Sequence, residues 1–194
     1  KVTNFNYVFY DCFSLKEIDL SYFEAKYITS ARKVFEDCKS LSKINLTHFD
    51  TSNVTTMTHM FEDCHSLTSL DLSSFNLESL ESSQGMFDNC IGLKNITFNN
   101  NISTKNLENM TFMFRGCKSL EKINMKIFKE NKLTNLEYVF YNCSSLKEID
   151  LSYFETKRIT SFRETVYSKN AYDIDVKLEK EINIVDGVFL TKIF

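Results

Sequence analysis

Residues 53–75 read NVTTMTHMFEDCHSLTSLDLSSF, and the pair Phe61-x-x-Cys64 at their centre recurs along most of the chain. It returns at Phe9/Cys12, Phe35/Cys38, Phe87/Cys90, Phe114/Cys117 and Phe140/Cys143, which uses every cysteine in the sequence. Cysteines at 12, 38, 64, 90, 117 and 143 are separated by 26, 26, 26, 27 and 26 residues. Self-similarity at a fixed period of this length marks a stacked array in which each unit contacts only its neighbours. The 194 residues are therefore expected to form one elongated solenoid, with no second globular core.

Within the quoted copy, Val54, Met57, Met60 and Phe61 fall at i, i+3, i+6 and i+7, the spacing of one helical face. This predicts a two-turn helix in each repeat. Thr55 stands at its start, matched by Thr3, Thr29, Thr134 and Thr160, where a hydroxyl can accept from the free first-turn amides. Thr134 and Glu137 have the spacing of a capping box. The residue before each cysteine is Asp11, Asp37, Asp63, Asn89, Gly116 or Asn142, types that tolerate the left-handed conformation of a helix end. Leu67-x-x-Leu70-x-Leu72 follows, echoed as Leu15/Ile18/Leu20 and Leu146/Ile149/Leu151, and its last three residues alternate as a short strand. Stacked units align these strands in parallel, about 4.8 Å apart. The expected fold is an α/β solenoid of short parallel strands and two-turn helices.

Residues 1–166 hold about six such repeats. Val2, Phe5, Val8 and Phe9 match Val54, Met57, Met60 and Phe61, so the array starts in mid-unit, from a missing capping segment or as a piece of something longer. The seventh copy decays: Lys169 stands where cysteine belongs, and Tyr172, Ile174, Val176 and Leu178 alternate with polar residues as a half-buried strand. Asp186-Gly187 between two apolar runs signals a hairpin. Residues 167–194 are read as a small β cap, or as the start of a following segment.

The cysteines are read as buried free thiols. Metal sites want cysteines two to four residues apart, and stacked repeats point lone cysteines all one way, which is poor disulfide geometry. A formal net charge of -3 disfavours nucleic acid as a partner. No apolar run approaches the roughly 20 residues of a membrane helix, so direct membrane insertion by this chain is not expected. With four glycines, no proline and no phosphate-binding loop, the sequence has no cofactor motif and no nucleophile paired with a base. His48, His59 and His65 lie at no metal-ligand spacing and receive no role. No catalytic, cofactor or metal residue is assigned.

Candidate protein contacts are the outward places of the strands and the turns after them. They are Lys16, Glu17, Asp19 and Tyr22; Lys43, Asn45 and His48; Asp71; Lys94; Lys122 and Asn124; and Lys147, Asp150 and Tyr153. Asp or Asn before the last apolar strand residue recurs in five of six copies. That column reads either as a polar binding strip or as a ladder of side-chain hydrogen bonds between strands. A calcium site there is disfavoured, because Asp71 has Asn45 and Thr97 as neighbours. SLKEIDLSYFE is identical at 14–24 and 145–155, by duplication or as a ligand contact used twice.

The run from Thr51 to Phe75 resembles the repeat of bacterial surface proteins, the BspA-like branch of the leucine-rich repeats, also described as a mycoplasma-type lipoprotein repeat. The likeness covers residues 1 to about 166. It departs from ordinary leucine-rich repeats in placing its cysteine before the strand, which puts horseshoe curvature in doubt. The resemblance implies a leucine-rich-repeat-like stack in a cell-surface or secreted protein, used for adhesion or for binding a host or other surface protein. The competing expectation is a structural spacer with no specific ligand; an enzyme is the least supported.

Overall fold

The computed structural model describes residues 1–154, 158–167 and 174–177. The chain winds as a β-solenoid of about six turns, five of which contribute a short strand to one face: β1 Glu17–Asp19, β2 Lys43–Asn45, β3 Ser69–Leu72, β4 Asn95–Phe98 and β6 Glu148–Asp150. β5 Phe140–Tyr141, β7 Val166–Tyr167 and β8 Asp175–Lys177 complete the set. All pairings are parallel and keep the repeat register, with Ile18 opposite Ile44 and Leu70 opposite Ile96. Strands pair as β1–β2, β3–β4, β5–β7 and β6–β8, so the strand face is a series of two-stranded segments. β8 lies parallel to β6, with Val176 opposite Ile149, and carries the stack through Lys177. The hairpin expected around Asp186-Gly187 lies outside the described residues.

Among the described residues the expected two-turn helices are absent, and the helical element is the 3-10 turn Met125–Phe128. The apolar spacing that resembled a helix comes from consecutive four-residue turns, in which Met60 N donates to Met57 O and Cys64 N to Phe61 O. His59 and Asp63, third in each turn, have φ of 55° and 57°. A positive φ there is the type II arrangement, which sets the central peptide across the turn. Those peptides, and the ones that lead into each turn, point along the stack: the amides of Met57, His59, Phe61 and Asp63 donate at 2.9 Å to the carbonyls of Ser82, Gln84, Met86 and Asp88. A helix would spend these groups within its own segment; turns spend them on the next repeat.

The residues read as caps take other duties. Asp11, Asp37, Asp63, Asn89, Gly116 and Asn142 are all left-handed, as their types allow, but end turns and not helices. Thr29, Thr55 and Thr160 donate their hydroxyls to the carbonyls of Thr3, Thr29 and Thr134 in the preceding repeat. Glu137 accepts from Ser161 of the next repeat instead of closing a capping box.

Side chains repeat the same stacking. Phe9, Phe35, Phe61, Phe87, Phe114 and Phe140 form one column with centroids 5.3–5.7 Å apart and planes within 9° of parallel. Beside it, the thiols of Cys38, Cys64, Cys90, Cys117 and Cys143 donate at 2.9–3.1 Å to the carbonyls of Phe9, Phe35, Phe61, Phe87 and Phe114. Cys12 is half-buried, the other five are buried, and all six are free. Each of these five buried cysteines is thus a small apolar residue that also ties its repeat to the one before, whereas Cys12, expected to be buried, is only half-covered in the first repeat.

Candidate functional site

On the strand face the expected contacts stand outward. Lys16, Glu17, Asp19, Lys43, Asp71, Lys94, Lys122, Asn124 and Lys147 are exposed, while Asn45 and Asp150 are half-covered. The Asp/Asn column is neither an open strip nor, in the main, a cross-strand ladder. Asp19, Asn45, Asp71, Asn124 and Asp150 each accept at 2.8–3.1 Å from the amide two residues on, at Ser21, Thr47, Ser73, Lys126 and Ser152. These are Asx turns that reverse the chain after the strand. The Ser21 and Ser73 hydroxyls and amides hold the Asp19 and Asp71 carboxyls below their ordinary range, with Asn45 adding to the effect at Asp19. Charge pairs across repeats are wide: Lys43 Nζ lies 3.9 Å from Glu17 and Lys147 Nζ 3.4 Å from Glu121.

The fifth repeat departs from the rest. Ile127 occupies the place held by the exposed Tyr22, His48 and Ser74 in other copies. Its apolar side chain turns inward to 5% exposure as Met125–Phe128 tightens into the 3-10 turn, with Asn124 as its cap. Lys122–Asn124 are consequently not in a strand, and neither β4 nor β6 pairs with this repeat. The gap is a groove of about 430 Å³ with Ile96, Ile123, Met125 and Ile149 among its apolar lining. Lys122, Asn124, Asp150 and Tyr153, four of the residues expected from sequence, come together around it with Asn95, Glu148 and Lys177. Glu17, Asp19, Lys43 and Asn45 lie on the β1–β2 pair instead, with Lys16 just before it, and Tyr22 is 96% exposed.

A second surface was not legible in the strand pattern. The third residue of the first turn is left-handed at Tyr7, Lys33, His59, Gly85, Phe112 and Tyr138, mostly large side chains in a conformation that favours glycine. Three residues further along each repeat stand Tyr10, Glu36, Glu62, Asp88, Arg115 and Tyr141. The resulting edge is aromatic at both ends, with Tyr7 against Tyr10 at 5.8 Å and Phe112 stacked on Tyr138 at 5.2 Å. Its middle is charged: Lys33 pairs with Glu36 at 2.9 Å, His59 Nδ1 lies 2.7 Å from Glu62 Oε2, and Arg115 forks onto Asp88. Burial pushes the Asp88 and Glu36 carboxyls up, opposed by Arg115 and Lys33 respectively. Glu62 and Asp88 are 26 residues apart, a separation that becomes proximity only when the repeats stack.

No curated protein matches the chain by sequence. Among solved structures, a leucine rich cell surface protein from Faecalibacterium prausnitzii A2-165 is similar, with 14% identity and a TM-score of 0.39 over 91% of this chain and 76% of that one. The family described as "Mycoplasma protein of unknown function, DUF285" matches twice, over residues 3–101 and 84–180. The two matches overlap over residues 84–101, in the middle of the array. With its repeats matched from residue 3 to residue 180, this chain belongs to the DUF285 family of Mycoplasma proteins of unknown function.

Proposed function

We propose that the solenoid is a non-catalytic protein-binding module of a cell-surface or secreted protein, of the BspA-like kind, and that its contact is the groove at the fifth repeat. The observation that carries this reading is the groove's composition: an apolar floor of isoleucines and methionine, a rim of Lys122, Asn124, Glu148 and Asp150, and Tyr153 at its side. Apolar centre, polar rim and a tyrosine anchor are the anatomy of a protein contact. It also stands where the array breaks its own pattern, through Ile127. A negative formal charge of -3 favours a protein partner over nucleic acid. No helix among the described residues is long and apolar enough to cross a membrane.

The test is quantitative binding of the folded chain to a panel of purified extracellular and surface proteins. Lys122→Glu and Tyr153→Ala should each weaken a specific interaction at least tenfold. Lys16→Glu and Lys43→Glu, at the β1–β2 pair, should leave it within about twofold. Equal binding by all four variants would reject the groove, and no specific partner across the panel would favour the structural spacer.

A further inference from the structure

The charged middle of the left-handed edge holds donors that a protein-binding groove elsewhere does not use. One ring nitrogen of His59, one oxygen of Glu62 and one of Asp88 lie within 4.8 Å of one another. His59 Nδ1 is buried and 2.7 Å from Glu62 Oε2, yet the two are too poorly aligned to form a hydrogen bond. Gly85 makes the arrangement possible: a Cβ there would stand 2.3 Å from His59 Nδ1, so any other residue would displace the imidazole. Gly85 is the place equivalent to His59 one repeat on, where the other copies carry side chains.

Asp88 is 1% exposed, and Arg115 steadies it, with Nε donating to Oδ1 at 2.8 Å and a second guanidinium nitrogen to Oδ2. Each oxygen in such a fork keeps a further lone pair, and an outer partner of this kind orients a carboxylate toward an ion. Glu36, 7% exposed in the preceding repeat, adds a third carboxylate. Glu36, Glu62 and Asp88 thus face two fixed cations, Lys33 and Arg115.

We propose that His59, Glu62 and Asp88 form a binding site for a divalent transition-metal ion of the zinc class, with water completing its coordination. One imidazole nitrogen and two carboxylates suit zinc, whereas calcium takes oxygen ligands throughout. Bonds of about 2.0–2.2 Å in a tetrahedral site place ligand atoms about 3.3–3.6 Å apart, so small side-chain rotations close the present spread around an ion. The ion would join two neighbouring repeats, because Asp88 comes from the turn after His59 and Glu62.

The test is calorimetric titration of the full chain with zinc chloride, in a Cys12→Ser background so that the half-buried thiol takes no metal. The expected result is one equivalent bound and a thermal transition that rises with zinc. His59→Gln and Glu62→Gln should each weaken uptake at least tenfold and lose the thermal shift, while His65→Gln keeps both. Transition temperatures without zinc identify any variant that fails to fold, and Glu62→Gln, at a partly exposed carboxylate, is the milder of the pair. Absence of zinc uptake by the parent chain would overturn the site, as would uptake unchanged in His59→Gln or lost instead in His65→Gln.

Discussion

At the scale of single residues, the cysteines show how one side chain serves packing and polarity together. Desolvation pushes the Cys38 and Cys143 thiols up to about 12, and raises Cys64, Cys90 and Cys117 as well. The fold therefore prefers the neutral thiol, and the sign of the pH dependence follows. Below the ordinary value of 9.0 the unfolded chain is neutral too, and the stabilisation is complete. As pH rises from about 9 toward 12 the unfolded chain ionises first and stability declines. Thermal unfolding followed from pH 7 to 11 should show a plateau to about 9 and then a falling transition temperature. Thiol titration should find Cys12 reactive in the folded chain and the other five only after denaturation. Burial of five cysteines was legible from their lone, regular spacing. Their bonds to phenylalanine carbonyls were not, because those depend on which way a neighbouring turn presents its backbone.

At the scale of elements, apolar spacing alone did not separate a helix from a chain of turns. Val54, Met57, Met60 and Phe61 point inward in either case, since both bring every third or fourth residue to one side. The distinguishing signal was present in Asp63 and its equivalents, which were correctly expected to be left-handed. The missing part was the second left-handed place at Tyr7, Lys33, His59, Phe112 and Tyr138, where residue type gives no warning. A far-ultraviolet circular dichroism spectrum should accordingly lack the double minimum of α-helix. The phenylalanine column is the element that holds successive turns in register. Phe87→Ala, at a fully buried ring stacked on both sides, should cost about 3–5 kcal/mol in urea unfolding.

At the scale of the whole molecule, every turn is incomplete alone, since its central amides find their acceptors in the next turn. Stability is then a sum of repeat and interface contributions. Residues 53–104, about two repeats, should be unfolded as an isolated peptide, whereas deletion of 26 residues from Glu62 to Phe87 should leave a shorter but folded solenoid, both measured by circular dichroism and thiol protection. The deletion works only at the period of the repeat. Removing half that length would set apolar places against polar ones and break the columns.

The period, most of the buried residues, the parallel pairing of the strands and the left-handed place before each cysteine could be read from residue type at fixed spacing, because that spacing recurs from copy to copy. Tertiary structure alone decided what differs between copies. SLKEIDLSYFE is identical at 14–24 and 145–155, yet Tyr22 is 96% exposed while Tyr153 is 36% exposed beside the groove that Ile127 opens in the preceding turn. His59, Glu62 and Asp88 likewise meet only across an interface between turns. In a solenoid the environment of a surface side chain is set by its neighbours one repeat away, and local sequence carries no record of what those neighbours are.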